Sequence, residues 1–121
     1  MQITQKNFYK KFLGRAGEIK AADFLKNKGY KILKTNYKTH IGEIDVIALD
    51  NDTIVFVEVK TRLNYDYGLA CEAVDRKKQE KYYKVASEYL VREKLTDSPC
   101  RFDVIEIQNG EINHIFNAFG M

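Results

Sequence analysis

Apolar side chains recur at helical spacing near the start of the chain. Residues 7–28 carry them every three or four positions, which predicts a first helix. Its predicted buried stripe consists of Phe12, Ala16, Ile19 and Ala22 or Phe24. Gly29, in the sequence NKGY, follows as a predicted C-cap, because glycine readily adopts the left-handed conformation that ends many helices.

The rest of the chain combines strand patterns with one further helix. The segments predicted as strands are residues 30–37, 43–49, 54–61, 101–108 and 111–119. Asn109-Gly110, between the last two, is typical of a type I′ hairpin turn. Asp75 is a predicted N-cap for a second helix that runs to about residue 94. The predicted buried stripe of that helix is Tyr82, Val85, Ala86, Tyr89 and Leu90. The predicted fold class is α/β, in the order α-β-β-β-α-β-β.

Length and composition predict one domain with its own core. The chain has 121 residues, of which 45% are hydrophobic, so we expect a single domain over residues 1–121. It contains no apolar run of 18 residues, which argues against a membrane span. The basic segment 1–15 lacks the apolar block of a signal peptide. A cytoplasmic protein is therefore expected.

The cysteines and histidines are isolated in sequence and form no zinc-binding pattern. Cys71 and Cys100 have no neighbouring His or Cys cluster, which favours two reduced thiols, with a disulfide as the alternative. His40 and His114 are predicted to be loop or strand-surface residues.

Charge is distributed unevenly along the chain. The net charge is +3, but residues 1–38 hold ten Lys or Arg and only two Asp or Glu. The remainder is acidic apart from a second basic island, RKKQEKYYK, at residues 76–84. Two basic segments around an acidic centre suit a protein that holds phosphates and places a cation among them. The alternative is that both segments are simply solvated helix faces.

Four charged residues interrupt the apolar strands of GEIDVIALDNDTIVFVEVKTR, residues 42–62. A turn around Asn51-Asp52 would place Ile47 opposite Phe56. The same register would place Asp45 opposite Glu58, and Glu43 opposite Lys60, on one face of the hairpin. The residues predicted for the other, apolar face are Ile44, Val46, Ala48, Val55, Val57 and Val59.

Carboxylates opposed in this way repel one another, which favours a bound cation. Directly opposed side chains have Cβ atoms about 4.5–5.5 Å apart. Mg²⁺ or Mn²⁺ between Asp45 and Glu58 would reverse the sign of that interaction, because hard cations take carboxylate and phosphate oxygens. Lys60 would lie about 6.6 Å along the strand from Glu58, within reach of a water or phosphate. The alternative is a surface ion-pair ladder in which Lys60 neutralises Glu58 and Glu43.

The first helix offers a further carboxylate beside two glycines. Glu18 lies in GRAGEIKAADFL at the border of a stripe formed by Ala21, Ala22 and Leu25. The two interpretations are a fourth site carboxylate and a surface residue paired with Lys or Arg. Gly14 and Gly17 each disfavour a helix interior by roughly 1 kcal/mol relative to Ala. They predict a close approach of backbone or phosphate, or else a bend or break in the helix.

Six motifs follow one another along the chain: GRAGE, GYKILKTN, GEIDVIA, VFVEVKTR, the Lys78-Gln79 pair and CRFDVIEI. Together they resemble the YraN-type family of small bacterial proteins. The set also resembles the PD-(D/E)XK nuclease superfamily and is similar to archaeal Holliday-junction resolvases. The resemblance implies a restriction-endonuclease-like mixed β-sheet flanked by helices. It implies that Asp45, Glu58, the Val59 carbonyl and Glu18 hold Mg²⁺ or Mn²⁺, and that Lys60 orients the attacking water or helps to deprotonate it. Ile44 stands where the superfamily motif has Pro.

The resemblance further implies a metal-dependent endonuclease acting on DNA, either structure-selective on branched or flapped DNA or nonspecific. The residues expected to contact nucleic acid are Lys10, Lys11, Arg15, Arg62, Arg76, Lys77, Lys78, Gln79 and Lys81. Arg101 and Asp103 are weaker site candidates. One alternative is a non-catalytic nucleic-acid-binding module of the same fold. Another is an assembly subunit that pairs as a homodimer through Tyr65, Tyr67, Tyr82 and Tyr83.

Overall fold

The computed structural model describes residues 5–62 and 75–120, with side chains for 11–62 and 75–120. The elements are α1 (Gln5–Asn27), β1 (Lys31–Lys38), β2 (Glu43–Asp50), β3 (Thr53–Arg62), α2 (Arg76–Arg92), β4 (Cys100–Gln108) and β5 (Glu111–Ile115). This confirms the predicted order of one helix, three strands, one helix and two strands. Each predicted boundary lies within a few residues of the observed one, apart from β5, which ends at Ile115.

The five strands form one mixed sheet in the order β1-β2-β3-β4-β5. β3 and β4 are parallel, whereas the other neighbouring pairs are antiparallel. A parallel pair needs a long crossover connection, and α2 lies within the connection between β3 and β4. The sheet therefore has a parallel pair, β3 and β4. The antiparallel strands β2 and β1 extend it on one side, and the antiparallel strand β5 extends it on the other.

Turn and cap residues behave as the sequence predicts. Asn109 and Gly110 both have positive φ angles, 54° and 79°, as a type I′ turn requires. Gly29 has a φ of 95° and ends α1 in a Schellman arrangement, in which the Tyr30 N–H donates to the Leu25 carbonyl at 3.0 Å. Asp75 caps α2 by accepting a hydrogen bond from the Lys78 N–H at 2.8 Å.

The two helices cover opposite faces of the sheet and bury separate apolar clusters. The α2 cluster contains Ile47, Ile54, Phe56, Tyr82, Val85, Ala86, Tyr89, Phe102 and Val104. The α1 cluster contains Ala21, Leu25, Val46, Ala48, Val55, Val57, Ile105 and Ile107. Four of the five residues in the predicted α2 stripe are buried, and Leu90 is half-buried.

The buried stripe predicted for α1 is largely wrong. Phe12 and Ile19 are 62% and 60% exposed, and Ala16 is also exposed. The helix instead contacts the sheet through Gly17, Ala21 and Leu25, which follow one another at four-residue intervals. Small residues at the first two of these positions let the helix backbone approach the strands closely, so the bulky stripe points away.

The predicted register between β2 and β3 is confirmed at the turn and wrong beyond it. Asp50 pairs with Thr53, and the ladder continues as far as Val46 opposite Val57. Beyond that point β2 continues its pairing with β1, while β3 continues its pairing with β4 as far as Arg62. The predicted ladder pairs of Asp45 with Glu58 and of Glu43 with Lys60 therefore do not form.

Further predictions concern the cysteines, the tyrosines and a membrane span. Cys100 is a free thiol, whereas Cys71, Tyr65 and Tyr67 lie outside the described residues. Tyr82 is buried in the α2 cluster. Of the helices in residues 5–62 and 75–120, neither combines the length and the apolar character that crossing a bilayer requires.

Candidate functional site

A cleft of about 510 Å³ opens where β2 and β3 separate beside the start of α2. Its lining residues are Gly42, Glu43, Asp45, Glu58, Asp75, Lys77, Lys78, Lys81 and Tyr82. The strands supply carboxylates to one wall, and the first two turns of α2 supply ammonium groups to the other. We refer to Glu18, Glu43, Asp45 and Glu58 as the carboxylate cluster.

Asp45 is held in the gap between the separating strands. Its Oδ2 accepts a hydrogen bond from the Val59 N–H at 2.8 Å. That N–H belongs to the part of β3 that has lost its partner in β2, so the carboxylate replaces a missing ladder bond. The side chain also hydrogen-bonds to Glu58, which brings the two predicted ligands together without the predicted ladder pair.

A local change of conformation in β1 accompanies this arrangement. Asn36 has a φ of 52°, which is uncommon for a strand residue other than glycine. By the register of β1 and β2, Asn36 stands opposite Asp45. Beyond this point Ile44 packs in the α2 cluster, whereas Val46 packs in the α1 cluster, so the prediction that both lie on one face of the hairpin is wrong. The left-handed residue interrupts the alternation of side chains at the position where the carboxylates gather.

Glu18 joins the cluster from α1, as predicted for a helical carboxylate at the border of the buried face. One ligand oxygen from each of Glu18, Glu43 and Asp45 lies within 4.8 Å of the other two. Glu18 hydrogen-bonds to both Asn36 and Asp45. Asp45 is therefore the residue shared by the two contacts, the group with Glu18 and Glu43 and the hydrogen bond with Glu58.

Glu58 forms an ion pair with a lysine of α2. The Lys78 ammonium lies 2.8 Å from Glu58 Oε1. The Glu58 side chain is 8% exposed and the Lys78 side chain 44% exposed, so a half-solvated cation reaches a buried carboxylate. The Asp75 cap fixes the start of α2 at this point through the Lys78 N–H. The alternative interpretation of the sequence, an ion-pair ladder in which Lys60 neutralises Glu58, named a different partner from the Lys78 observed here.

The crowding of carboxylates changes their acidity. Burial, together with the charge of Glu58, raises the pKa of Asp45 to about 9. Burial and the nearby charge of Glu43 raise the pKa of Glu18, although hydrogen bonds from Asn36 and Asp45 oppose this. The cluster therefore resists full ionisation, and a bound cation would favour the ionised forms.

The other predicted site residues are distributed around this cleft and elsewhere. Lys60 is half-buried and stands beside Glu106 of β4 instead of opposite Glu43. Arg62 forms an ion pair with Glu106 at 3.3 Å and lines a different cleft, between α1 and β4. The remaining predicted contacts are the exposed Lys11 and Arg15 on α1, the exposed Arg76, Lys77, Lys78 and Lys81 on α2, and the half-buried Gln79. The side chain of Lys10 lies outside the described part.

Sequence reasoning missed Asn36 and the membership of Glu43. Asn36 carried one usable signal, because asparagine is depleted in strands and tolerates the left-handed conformation. Glu43 was assigned to a ladder pair with Lys60, a pairing that required β2 and β3 to remain together. Only the separation of these strands brings Glu43 to Glu18.

A second polar network lies on the α1 face of β4. Asp103 is fully buried and accepts hydrogen bonds from Arg101 Nε at 3.1 Å and from the Asn117 N–H at 2.8 Å. His114 Nε2 lies 2.8 Å from the same carboxylate, and its Nδ1 lies 3.1 Å from the Lys28 ammonium. Because an ammonium can only donate, Nδ1 accepts and Nε2 donates to Asp103.

This network corrects one expectation and confirms the predicted pairing of Arg101 with Asp103. The His114 side chain is only 4% exposed, so its predicted place on a strand surface is wrong. Burial works to raise the pKa of Asp103, but the hydrogen bonds from His114, the Asn117 N–H and Arg101 outweigh burial and lower it. The network ties β4, β5 and the end of α1 together.

Fold and site define a small α/β protein in which a mixed sheet carries a carboxylate cluster faced by lysines. Residues 17–107 match the profile of the family described as Uncharacterised protein family UPF0102. A UPF0102 protein of Clostridioides difficile is 51% identical over 108 residues, which cover 88% of this chain and 95% of that protein. Another, from Caldanaerobacter subterraneus subsp. tengcongensis, is 49% identical over 121 residues, covering 94% and 99%. The chain belongs to the UPF0102 family, which confirms the YraN-type resemblance.

Proposed function

We propose that this protein is a Mg²⁺- or Mn²⁺-dependent endonuclease that hydrolyses phosphodiester bonds in DNA, within the PD-(D/E)XK superfamily. The observation that carries the proposal is the set of three carboxylates from β2 and β3 in a cleft whose opposite wall is lined by lysines, with Glu18 of α1 within reach of two of them. A surface ion-pair ladder would explain Glu58 with Lys78, but it would not explain three further carboxylates within reach of one another.

The donor set fits a hard divalent cation. All side-chain donors are carboxylate oxygens, which Mg²⁺ and Mn²⁺ prefer, and the cluster contains neither sulfur nor imidazole. Asp45 and Glu58 would hold the cation, with the Val59 carbonyl and Glu18 as further ligands. Glu43 is added to this set because its oxygen lies with those of Glu18 and Asp45.

The remaining residues would act on the substrate around this cation. When bound, the cation lowers the pKa of a water and offsets negative charge developing on the phosphate. Lys60 would orient that water and add positive charge at the same place. Lys77 and Lys81 would hold the backbone through phosphates, which positions DNA without reading its sequence.

The substrate class follows from this mode of binding. Contacts confined to phosphates favour a structure-selective or nonspecific enzyme, and we propose branched or flapped DNA as substrate. A four-way junction would require two copies of the site in a homodimer, because two strands must be cut. Gel filtration at neutral pH tests this, and a strict monomer would count against a junction substrate.

The first test is Mn²⁺ binding, measured by calorimetry on the wild-type protein and on Glu58→Ala. We expect binding to the wild type and its loss in the variant. Glu111→Ala, which removes an exposed glutamate from β5, serves as the matched control and should bind as the wild type does. Absence of binding to the wild type at millimolar Mn²⁺, with and without a short duplex, would contradict the metal site.

A second measurement separates a nuclease from a non-catalytic binding module of the same fold. Cleavage of labelled junction, flap and duplex DNAs is assayed with Mn²⁺ and with EDTA. We expect product only with Mn²⁺ and only with an intact Glu58. DNA affinity that is indifferent to both, without any product, would favour the binding module.

A further inference from the structure

Lys78 occupies the position on Glu58 where a cation would bind. We infer that its ammonium is a resident counter-ion that the divalent cation must displace, so that Lys78 competes with metal for the carboxylate cluster. This inference rests on the proposed metal site. It gives Lys78 a role that is distinct from a permanent structural ion pair or a simple phosphate contact.

The burial of the two partners supports displacement. Glu58 is almost entirely removed from solvent, and an unpaired buried carboxylate is strongly unfavourable, so the metal-free protein needs a positive charge there. Lys78 supplies that charge at 2.8 Å while much of its side chain remains in solvent. A flexible, half-exposed lysine side chain can leave the carboxylate at little steric cost.

Electrostatic repulsion disfavours a close sharing of Glu58 by Lys78 and a divalent cation. Both are positive, and both use the oxygens of a single carboxylate that also contacts Asp45. Since Asp75 fixes the start of α2, the backbone of Lys78 stays beside the cleft when its ammonium moves. The displaced ammonium then faces the same space as Lys77 and Lys81, where a DNA phosphate would lie.

Competition of this kind couples metal binding to DNA binding. In the free protein, Lys78 weakens metal binding by holding Glu58. A DNA phosphate offers the ammonium another partner and so releases Glu58 to the cation. By linkage, DNA should tighten metal binding by the same factor by which metal tightens DNA binding. The device would keep the cluster neutralised until substrate arrives.

The test is Mn²⁺ calorimetry at fixed pH and ionic strength on three proteins: wild type, Lys78→Met and Lys81→Met. Lys81 lines the same cleft on the same helix and lacks the ion pair with Glu58, so its variant removes equal charge without removing the counter-ion. We expect Lys78→Met to bind Mn²⁺ about fivefold more tightly than the wild type, the upper value for a partly exposed ion pair. Lys81→Met should change affinity by less than about twofold.

Thermal unfolding supplies a second readout on the same proteins. Without metal, Lys78→Met should melt below the wild type because Glu58 loses its partner, and saturating Mn²⁺ should raise its melting temperature by more than it raises that of the wild type. If Lys78→Met fails to fold, Lys78→Gln takes its place, because glutamine keeps a hydrogen-bond donor without the charge. We expect the same tighter Mn²⁺ binding and the same larger rise in melting temperature from Lys78→Gln.

The outcomes distinguish this inference from the proposed function. Wild-type binding that is unchanged or weakened in Lys78→Met overturns the inference and leaves the metal site standing. Equal tightening in Lys78→Met and Lys81→Met also overturns it, because a general charge effect would then suffice. Failure of all three proteins to bind Mn²⁺ overturns both.

Discussion

At the residue scale, the decisive group is the carboxylate of Asp45. It accepts the Val59 N–H, contacts Glu58 and lies among the oxygens of Glu18 and Glu43. Its structural task needs one acceptor oxygen, whereas metal binding needs the negative charge. These two requirements can be separated by substitution.

Asp45→Asn keeps an acceptor for the Val59 N–H and removes the carboxyl group that must ionise to hold a cation. We expect loss of Mn²⁺ binding and of cleavage, while the metal-free melting temperature at pH 7 stays close to that of the wild type, because the raised pKa of Asp45 already keeps its carboxyl largely protonated there. Isothermal titration calorimetry measures the loss of Mn²⁺ binding, and differential scanning calorimetry measures the metal-free melting temperature. A large fall in metal-free stability would instead favour a structural ion-pair network.

A second prediction concerns the buried Asp103 and acid pH. Its lowered pKa means that the carboxylate stabilises the fold above the ordinary Asp pKa of about 4, and that this contribution is lost as the pH falls below that value. At pH 7, Asp103→Asn should reduce the free energy of unfolding by about 3 kcal/mol, since Arg101 and His114 lose a charged partner in the interior.

Urea unfolding at pH 7 and near pH 3 tests the expected loss of the Asp103 contribution to stability in acid. The difference in unfolding free energy between wild type and Asp103→Asn should narrow at the lower pH, because Asp103 is protonated more readily in the unfolded chain than in the folded protein. The control is Asp97→Asn at an exposed position, with an expected change below about 0.5 kcal/mol at both values. A gap that widens toward low pH would contradict the sign derived from the lowered pKa.

At the element scale, the position of α1 depends on one of its two glycines. A Cβ placed on Gly17 would overlap Thr61 Oγ1, whereas a Cβ on Gly14 would meet no atom within 4 Å. The absence of a side chain at Gly17 therefore allows close packing against β3, whereas at Gly14 no packing contact requires glycine. This close approach sets the face of α1 that carries Glu18 toward the cluster.

The two glycines form a matched pair of substitutions. Gly14→Ala should raise the free energy of unfolding by roughly 1 kcal/mol through helix propensity. Gly17→Ala should lower it by about 1–2 kcal/mol, because overpacking against Thr61 exceeds that gain. Denaturant melts compare the variants, and Thr61→Ala in the Gly17→Ala background should restore part of the loss. Equal effects at both glycines would rule out the close approach as the cause.

At the scale of the whole molecule, opposite charges are separated across the cleft. Lys77 and Lys81 line it at the beginning of α2. Lys94 follows the far end of that helix, roughly 20–25 Å away along its axis. Lys31 begins β1 and lies opposite Leu49, near the β2–β3 turn and away from the cluster. If DNA binds at the cleft, position should matter more than net charge.

The double variant Lys77→Glu/Lys81→Glu should weaken binding to a short DNA duplex by at least about tenfold and reduce the slope of log affinity against log salt by about two. Lys31→Glu/Lys94→Glu makes the same change in net charge at exposed positions away from the cleft. Fluorescence anisotropy across a salt series measures both. Equal losses in the two double variants would assign DNA binding to overall charge instead of the cleft.

Much of the fold follows from local sequence signals. Gly29, Asp75 and Asn109-Gly110 end or begin elements because their backbone conformations and capping bonds are local properties of those residues. The alternation around the turn at residues 50–53 determines the register from Asp50–Thr53 to Val46–Val57 for the same reason. The same register predicted that Asp45 and Glu58 lie close together. They do, but through a side-chain hydrogen bond instead of a ladder pair.

The remaining features depend on contacts between segments that are distant in sequence. The face of α1 was decided by the fit of Gly17 against Thr61, which outweighed the larger apolar stripe through Phe12 and Ile19. The separation of β2 from β3 arises because one strand follows β1 and the other follows β4, and no local pattern encodes that choice.

The sequence by itself determined which elements form, where most of them end, and which residue types could hold a cation. Tertiary structure decided which of those residues meet. It brought Glu43 to Glu18, Lys78 to Glu58 and His114 to Asp103, across sequence separations that range from 11 to 25 residues. Local periodicity reports the conformation of a segment, whereas a site assembled from several segments depends on how the sheet twists and which strands remain paired.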